Sequence, residues 1–299
     1  MKPLVYALSD NEFAAAALAS ALDGELGQVT TRRFPDGESY VRLLTAPAGR
    51  AVIVVASLHH PDAKVIPLVL LLETARDLGA TSVGLVAPYL CYMRQDRRFN
   101  EGEAVSARLF PRVLGRSIDW LVTVDPHLHR ISDLDEVYAV PSPIVHAAPA
   151  VARWVAENVQ RPLLIGPDSE SEQWVADVAR RAAAPFVVLD KVRRGDRDVE
   201  VSVPEVERWR SHTPVLVDDI ISTGRTMIET LGHLSRAGMS PAICIGVHGL
   251  FADDALEDLR RAGARQVVTC DSIPHTTNQI ALGPFLADAV RSLIAEEPR

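Results

Sequence analysis

The sequence predicts an α/β protein of two tandem units, each an open, mostly parallel sheet with helices on both faces. Three observations carry this reading: short uninterrupted apolar runs, helix-like stretches between them, and a second round of the same rhythm after a proline-rich break. Uninterrupted apolar runs mark strands buried on both faces, which is the habit of parallel sheets.

In the first half the strand-like runs are Leu4 to Leu8, Ala51 to Ala56, Val83 to Ala87 and Trp120 to Val124. Between them lie helix-like stretches at Asn11 to Leu22, Asp62 to Leu78 and Ala104 to Leu114, which makes a βαβ array. The rhythm resumes at Leu163 to Ile165, Phe186 to Leu189, Val215 to Val217, Ile243 to Val247 and Val267 to Thr269. The stretch Val140-Pro141-Ser142-Pro143 separates the halves, because two prolines in close succession disfavour helix and mark a turn. The domains are therefore placed at 1–142 and 143–299, with a last helix from Pro284 to Ala295 able to pack on either one.

With 299 residues, 47% of them apolar and 23% charged, the chain is long enough to bury two cores. Its net charge is −8 and no basic stripe is interleaved with aromatics, so nucleic acid is not an expected partner. Cys91, Cys244 and Cys270 are far apart and sit in or beside apolar runs, which predicts buried, reduced thiols. The longest apolar run, Val65 to Leu72, is too short to cross a bilayer, and the N-terminus lacks a basic segment followed by an apolar core. These features point to a cytoplasmic protein with no membrane partner.

The most specific local signal is the segment from Val215 through Asp218-Asp219 to Ser222-Thr223-Gly224-Arg225-Thr226, followed by apolar positions Met227, Ile228, Leu231 and Leu234 at helical spacing. A buried strand, a turn and a helix start put free backbone N–H groups and a helix dipole at the carboxyl edge of a sheet, where a phosphate binds. Gly224 lets the backbone come close, and the hydroxyls of Ser222, Thr223 and Thr226 add donors. Two adjacent acids suit a ribose, since carboxylates accept hydrogen bonds from a vicinal diol. The site reads as one for a phosphorylated sugar.

Five further segments end strands or join them. Arg94-Gln95-Asp96 offers a guanidinium for stacking on a base or binding phosphate and an amide for reading base edges, though such a triplet alone also describes a solvated loop. Arg33-Phe34-Pro35-Asp36-Gly37-Glu38 reads as a turn between two strands. Asp125-Pro126-His127-Leu128-His129 closes a strand; its two histidines hint at a transition metal, but no third ligand supports zinc. Asp168 closes another strand ahead of Ser169 and Glu170, where a helix N-cap is the plainer reading. Lys191-Val192-Arg193 opens a short basic loop, which in isolation is equally a solvated one.

Taken in order, these segments resemble the ribose-phosphate diphosphokinases, also called PRPP synthases, a family of two tandem phosphoribosyltransferase-like domains. The loop with Ser222, where many members carry a third aspartate, is similar to that of archaeal-type members. The resemblance implies an enzyme, a transferase of nucleotide biosynthesis, that moves the β,γ-diphosphoryl group of ATP to the C1 hydroxyl of ribose 5-phosphate. It implies ATP contacts at Phe34, Asp36, Glu38, Arg94, Gln95, Asp96 and His127, with the Phe34 turn reaching the ATP site of a neighbouring subunit in a homo-oligomer. Ribose 5-phosphate contacts are implied for Asp168, Asp218, Asp219, Ser222, Thr223, Gly224, Arg225 and Thr226. Mg²⁺, brought as MgATP and joined by a second ion, is implied at Asp125, His127 and Asp168, and a catalytic arm at Lys191 and Arg193. Two alternatives share the sugar-phosphate loop: a phosphoribosyltransferase that consumes PRPP, which is a single-domain protein without the Arg-Gln-Asp half, and a non-catalytic protein associated with the synthase.

Overall fold

The computed structural model describes residues 1–128, 130–167, 171–194, 198–202 and 206–296, with backbone alone for those between 190 and 207 and for 296. The chain divides into two compact units. The first comprises Met1–Val145 with Ser272–Pro274 and Leu282–Arg299; the second comprises His146–Asp271 with His275–Ala281.

In the first unit the strands are β1 (Leu4–Ala7), β2 (Glu25–Leu26), β3 (Val29–Arg33), β4 (Ser39–Leu43), β5 (Ala51–Val55), β6 (Ser82–Ala87), β7 (Trp120–Val124) and β8 (Ile144–Val145). Six of them form a parallel sheet in the order β2-β1-β5-β6-β7-β8, and β3 and β4 make a separate antiparallel hairpin. The second unit contains β9 (Pro162–Gly166), β10 (Phe186–Val188), β11 (Asp190–Arg194), β12 (Asp198–Ser202), β13 (Thr213–Ile221), β14 (Ile243–Gly249), β15 (Gln266–Cys270) and β16 (Asn278–Ile280). Its parallel sheet runs β10-β9-β13-β14-β15-β16, and β11 and β12 form a hairpin outside it. Numbering only the sheet strands within each unit gives the same order, 2-1-3-4-5-6, and each hairpin is inserted between the second and third of them. The halves thus repeat one another in topology, as the alternating pattern of the sequence predicts.

The helices are α1 (Glu12–Ala21), α2 (Val65–Asp77), α3 (Ser106–Leu114), α4 (Ala148–Asn158), α5 (Glu172–Arg181), α6 (Arg225–Arg236), α7 (Ala255–Arg261) and α8 (Gly283–Glu296). Each turns its periodic apolar positions inward: α2 buries Leu68, Leu71, Leu72 and Ala75, and α6 buries Met227, Leu231 and Leu234. Burying one leucine or methionine side chain fully stabilises the fold by ~1.5–3 kcal/mol, so three on one face outweigh the weak helix propensity of a short segment. Helix α8 packs on α1, β7 and β8 in the first unit.

Every residue of β6 is buried, and at its centre Gly84 pairs with Trp120 of β7. A Cβ on Gly84 would lie 2.0 Å from an indole carbon of Trp120, so the glycine is the space in which the indole rests. The three cysteines are free and buried, and burial pushes the Cys91 and Cys244 thiols well above their ordinary range. No helix among the described residues is long and apolar enough to cross a membrane.

The structure departs from the sequence reading at several boundaries. β13 continues past Val217 through both aspartates to Ile221, because Asp218, Ile220 and Ile221 still pair with Gly246, His248 and Gly249 of β14. The stretch read as one helix from Asp62 is a 3₁₀ turn at Pro61–Ala63 followed by α2. β8 carries the first sheet on to Val145, beyond the proline-rich boundary.

Gly84→Ala is expected to lower stability by roughly 2–3 kcal/mol through overpacking against the Trp120 ring. Urea unfolding followed by tryptophan fluorescence reads this directly, and an unchanged midpoint would show that the indole has another place to go.

Candidate active site

In the second unit β9 and β13 are neighbours, and the winding of the sheet reverses between them. Loops leaving the carboxyl ends of two such strands diverge to opposite faces, which opens a crevice for a ligand. Asp218 and Asp219 lie half-buried at that end of β13, with the Asp219 N–H donating to the Asp218 carboxylate at 3.0 Å. The strand then stops, and Ser222, Thr223 and Gly224 turn into α6.

Gly224 sits at the helix N-cap with φ +66°, in the left-handed region, and no side chain caps the helix start. The first-turn N–H groups of a helix have no intrahelical partner, so they and the dipole end of α6 are left for an anion. The carbonyls of the turn face the other way. Ile221 accepts from the N–H groups of Leu250 and Phe251, both at 3.0 Å, and Ser222 accepts from that of Ala252 at 3.1 Å. The connection after β14 therefore buttresses the turn, and Phe251 is itself stacked on His275 with ring centres 4.6 Å apart. Thr223 and Arg225 are exposed, while Ser222 and Thr226 are half-buried. Asp168, Ser169 and Glu170 lie outside the described residues, as do His129 and the side chains of Lys191 and Arg193; the backbone places the latter two on β11 of the hairpin.

In the first unit β7 is followed directly by Asp125, which adopts φ +30° and donates its N–H to the Val145 carbonyl at 3.1 Å. His127 follows, half-buried, two residues on. The loop after β6 is tied to this edge. Asp96 is buried and accepts from the Arg130 N–H at 3.1 Å and from its guanidinium at 3.0 and 3.3 Å. Burial pushes the Asp96 carboxyl up, but these charge-assisted bonds outweigh it and hold the group below the usual carboxylate range. The Asp96 side chain is thus spent on scaffold, whereas Arg94 is exposed beside it.

Gln95 is fixed by a residue that sequence reasoning missed. Glu103 accepts from the Gln95 amide at 3.1 Å, from the N–H groups of Phe99 and Asn100 at 2.7 and 3.0 Å, and from the Asn100 amide at 2.6 Å. The donors hold its carboxyl below the ordinary range, the Asn100 amide foremost. Neither Glu103 nor Arg130 carried a signal in the sequence, because each finds its partner only once the loop has folded.

The third segment of the first unit is the β3–β4 turn. Phe34 is part-exposed, packs edge-on to Tyr40 with ring centres 6.0 Å apart, and shares the Arg32 guanidinium with it at 4.4 and 4.3 Å. Asp36 accepts from the Glu38 N–H at 3.2 Å, and both acids border an open groove of ≈ 530 Å³ that also exposes Ile66 and Leu70 of α2.

At the reversal of the first sheet, between β1 and β5, the crevice edge is filled by protein. Lys64, buried, donates to the Ser57 carbonyl at 3.1 Å, lies 3.2–3.3 Å from both ring nitrogens of His59, and faces Asp10 at 3.6 Å. Burial first, then the adjacent ammonium, pushes the His59 imidazole down to about 4.

Fold and loop chemistry define a protein of the phosphoribosyltransferase-like class in duplicate. The family model for the N-terminal domain of ribose phosphate pyrophosphokinase matches residues 4–117, and that for the phosphoribosyl transferase domain matches residues 135–285. A ribose-phosphate pyrophosphokinase of Methanopyrus kandleri is 33% identical over 292 residues, covering 97% of this chain and 99% of that one. One from Methanothermobacter thermautotrophicus is 32% identical over 289 residues, with 96% and 100% covered, and one from Halobacterium salinarum is 35% identical over 285, with 94% and 98% covered. The crystal structure of a phosphoribosylpyrophosphate synthetase from Mycobacterium smegmatis superposes with a TM-score of 0.86, covering 98% of this chain and 99% of that one; at 24% identity it speaks for the fold. The chain belongs to the ribose-phosphate pyrophosphokinase family.

Two outcomes follow from the geometry. Gly224→Ala has room, since the new methyl would lie 3.4 Å or more from Leu259, so its cost of about 1 kcal/mol comes from the left-handed backbone. Thermal unfolding should shift modestly while phosphate protection of the fold is lost; full protection would remove the loop from the phosphate site. His59, with a folded value near 4 against ~6.5 unfolded, takes up a proton on unfolding, so stability should fall as pH drops from about 6.5 towards 4. Because the ring is half-exposed, about 1 kcal/mol is the expected size, and His59→Gln should flatten that part of a stability–pH curve.

Proposed function

We propose that the chain transfers the β,γ-diphosphoryl group of ATP to the C1 hydroxyl of ribose 5-phosphate, giving AMP and 5-phosphoribosyl 1-diphosphate. The observation that carries it is the uncapped α6 start beside Asp218 and Asp219, at the reversal point of the second sheet. There the 5-phosphate meets the N–H groups and hydroxyls of Ser222 to Thr226, with Arg225 as counter-charge, and the two carboxylates orient the ribose diol. The family resemblance adds Asp168 to the same set of contacts.

In the first unit Arg94, Gln95 and His127 hold the nucleotide, and Asp96 serves it by keeping the loop in place through Arg130. Phe34, Asp36 and Glu38 reach the ATP of a second copy, which makes the working unit at least a dimer. No group of three or more acidic, histidine or cysteine side chains able to hold a metal occurs among the described residues. One carboxylate and one imidazole, Asp125 and His127, suit an ion that arrives on the phosphates and keeps part of its water, as Mg²⁺ does in MgATP. Such an ion neutralises charge on the transferring group. By the family resemblance, Asp168 is assigned to the diphosphate end of the same species or to a second Mg²⁺.

The C1 oxygen attacks the β-phosphorus in line as the bond to the AMP oxygen breaks. Little covalent work falls to the protein, so rate comes from alignment and charge. Lys191 and Arg193, on a hairpin outside the sheet, supply positive charge at that moment.

The direct test is AMP formation from ATP and ribose 5-phosphate with Mg²⁺. Diphosphate release from PRPP and a base would instead mark a phosphoribosyltransferase, and no turnover with either would mark a binding protein. Lys191→Ala should remove most turnover, on the order of a hundredfold or more, while ATP affinity stays within a few-fold. A near-normal kcat in that variant would take the hairpin out of the mechanism.

A further inference from the structure

The bond between Gln95 and Glu103 decides which way a side-chain amide faces. An ionised carboxylate only accepts hydrogen bonds, and three other donors on Glu103 keep it ionised. The atom of Gln95 that meets it at 3.1 Å must therefore be the nitrogen. Flipping the amide would set oxygen against oxygen, an arrangement the loop does not tolerate. What Gln95 then presents outward is its carbonyl oxygen beside the second amide hydrogen. That acceptor–donor pair matches the 6-amino group and a ring nitrogen of adenine and opposes the 6-oxo group of guanine or hypoxanthine.

We propose that Glu103 is a positioning residue that sets base specificity, holding Gln95 so that its carboxamide accepts from a 6-aminopurine and rejects a 6-oxopurine. This rests on the reading of Gln95 as a nucleotide contact. Three structural features serve the same end. Glu103 binds the backbone at Phe99 and Asn100, so the carboxylate has a fixed place; the Gln95 backbone carbonyl accepts from the Ala107 N–H at 3.2 Å, which anchors the residue to α3; and Asp96, next in line, is locked by Arg130.

The experiment is equilibrium binding of MgATP and MgITP to the full chain and to Glu103→Gln, with thermal unfolding of both. An amide at 103 can donate as well as accept, so Gln95 becomes free to turn. The wild type should prefer ATP by about tenfold or more, and the variant should lose most of that preference, chiefly by gaining ITP affinity. A merely structural role would lower affinity for both nucleotides together and leave the ratio intact, which overturns the proposal while ATP binding itself stands. Absence of ATP binding in the wild type overturns the nucleotide reading and the proposal with it. Should Glu103→Gln not fold, Gln95→Met keeps the length and the Glu103 backbone bonds but removes the amide; a preference for ATP that survives in it counts against the proposal as decisively.

Discussion

Parallel pairing of buried strands is the constraint on which the rest of the structure depends. A parallel strand cannot be joined to its neighbour by a tight turn, so each connection must cross over as a helix. All strands then end on the same edge, and the buried runs Val52–Val55, Ser82–Ala87, Trp120–Val124 and Val215–Val217 leave no room for polar chemistry inside the sheet. Polar function is pushed to the loops at that edge, where helix starts also gather. Asp125 and Asp218 illustrate it: each is the first ionisable side chain after a run of buried apolar residues on its strand.

Both units use the same order of strands, yet their reversal points are furnished differently. Between β9 and β13 the turn at Gly224 opens a helix start that no side chain caps. Between β1 and β5 the corresponding place holds Lys64, whose ammonium is already engaged by Ser57, His59 and Asp10, and the Ser57 hydroxyl donates to the Ser272 carbonyl. A buried ammonium is costly unless it is surrounded by acceptors, and here the chain supplies them itself. The duplicated fold thus leaves the helix start without a side-chain cap at one reversal point and places a buried lysine at the other. The first unit's motif residues sit instead after β6, after β7 and on the inserted hairpin. That hairpin has a counterpart, β11–β12, at the same point of the second unit, so the Phe34 turn and the Lys191 segment are equivalent insertions into one topology.

The sheet strands and most helices were legible in the sequence because burial writes itself into composition. Val83 to Ala87 and Trp120 to Val124 could be nothing but buried strands, and the α6 periodicity from Met227 to Leu234 is unambiguous. The end of β13 was not legible: Asp218 and Asp219 look like turn residues, and only pairing with the all-buried β14 keeps them extended. The edge strands β2, β8 and β16 were missed for a related reason, since two or three residues at an edge are chosen by their neighbours and not by their own pattern. Among loop residues, those of the motifs could be singled out from the sequence. Glu103 and Arg130, which hold such residues in place, could not, because their meaning lies in contacts that bridge eight and 34 positions of chain.

That division explains how an acidic chain can handle anions. With a net charge of −8, a diffuse field would repel a polyphosphate, but exposed charges more than about 10 Å away are screened at ordinary salt. What matters is the local account, and two acids of the proposed nucleotide loop, Asp96 and Glu103, are engaged by donors of the protein itself. Asp96 is matched by Arg130, and Glu103 is surrounded by four donors. Arg94 and Arg225 remain exposed. Asp96 and Glu103 thus build the frame of their loop, and Arg94 stays exposed beside them.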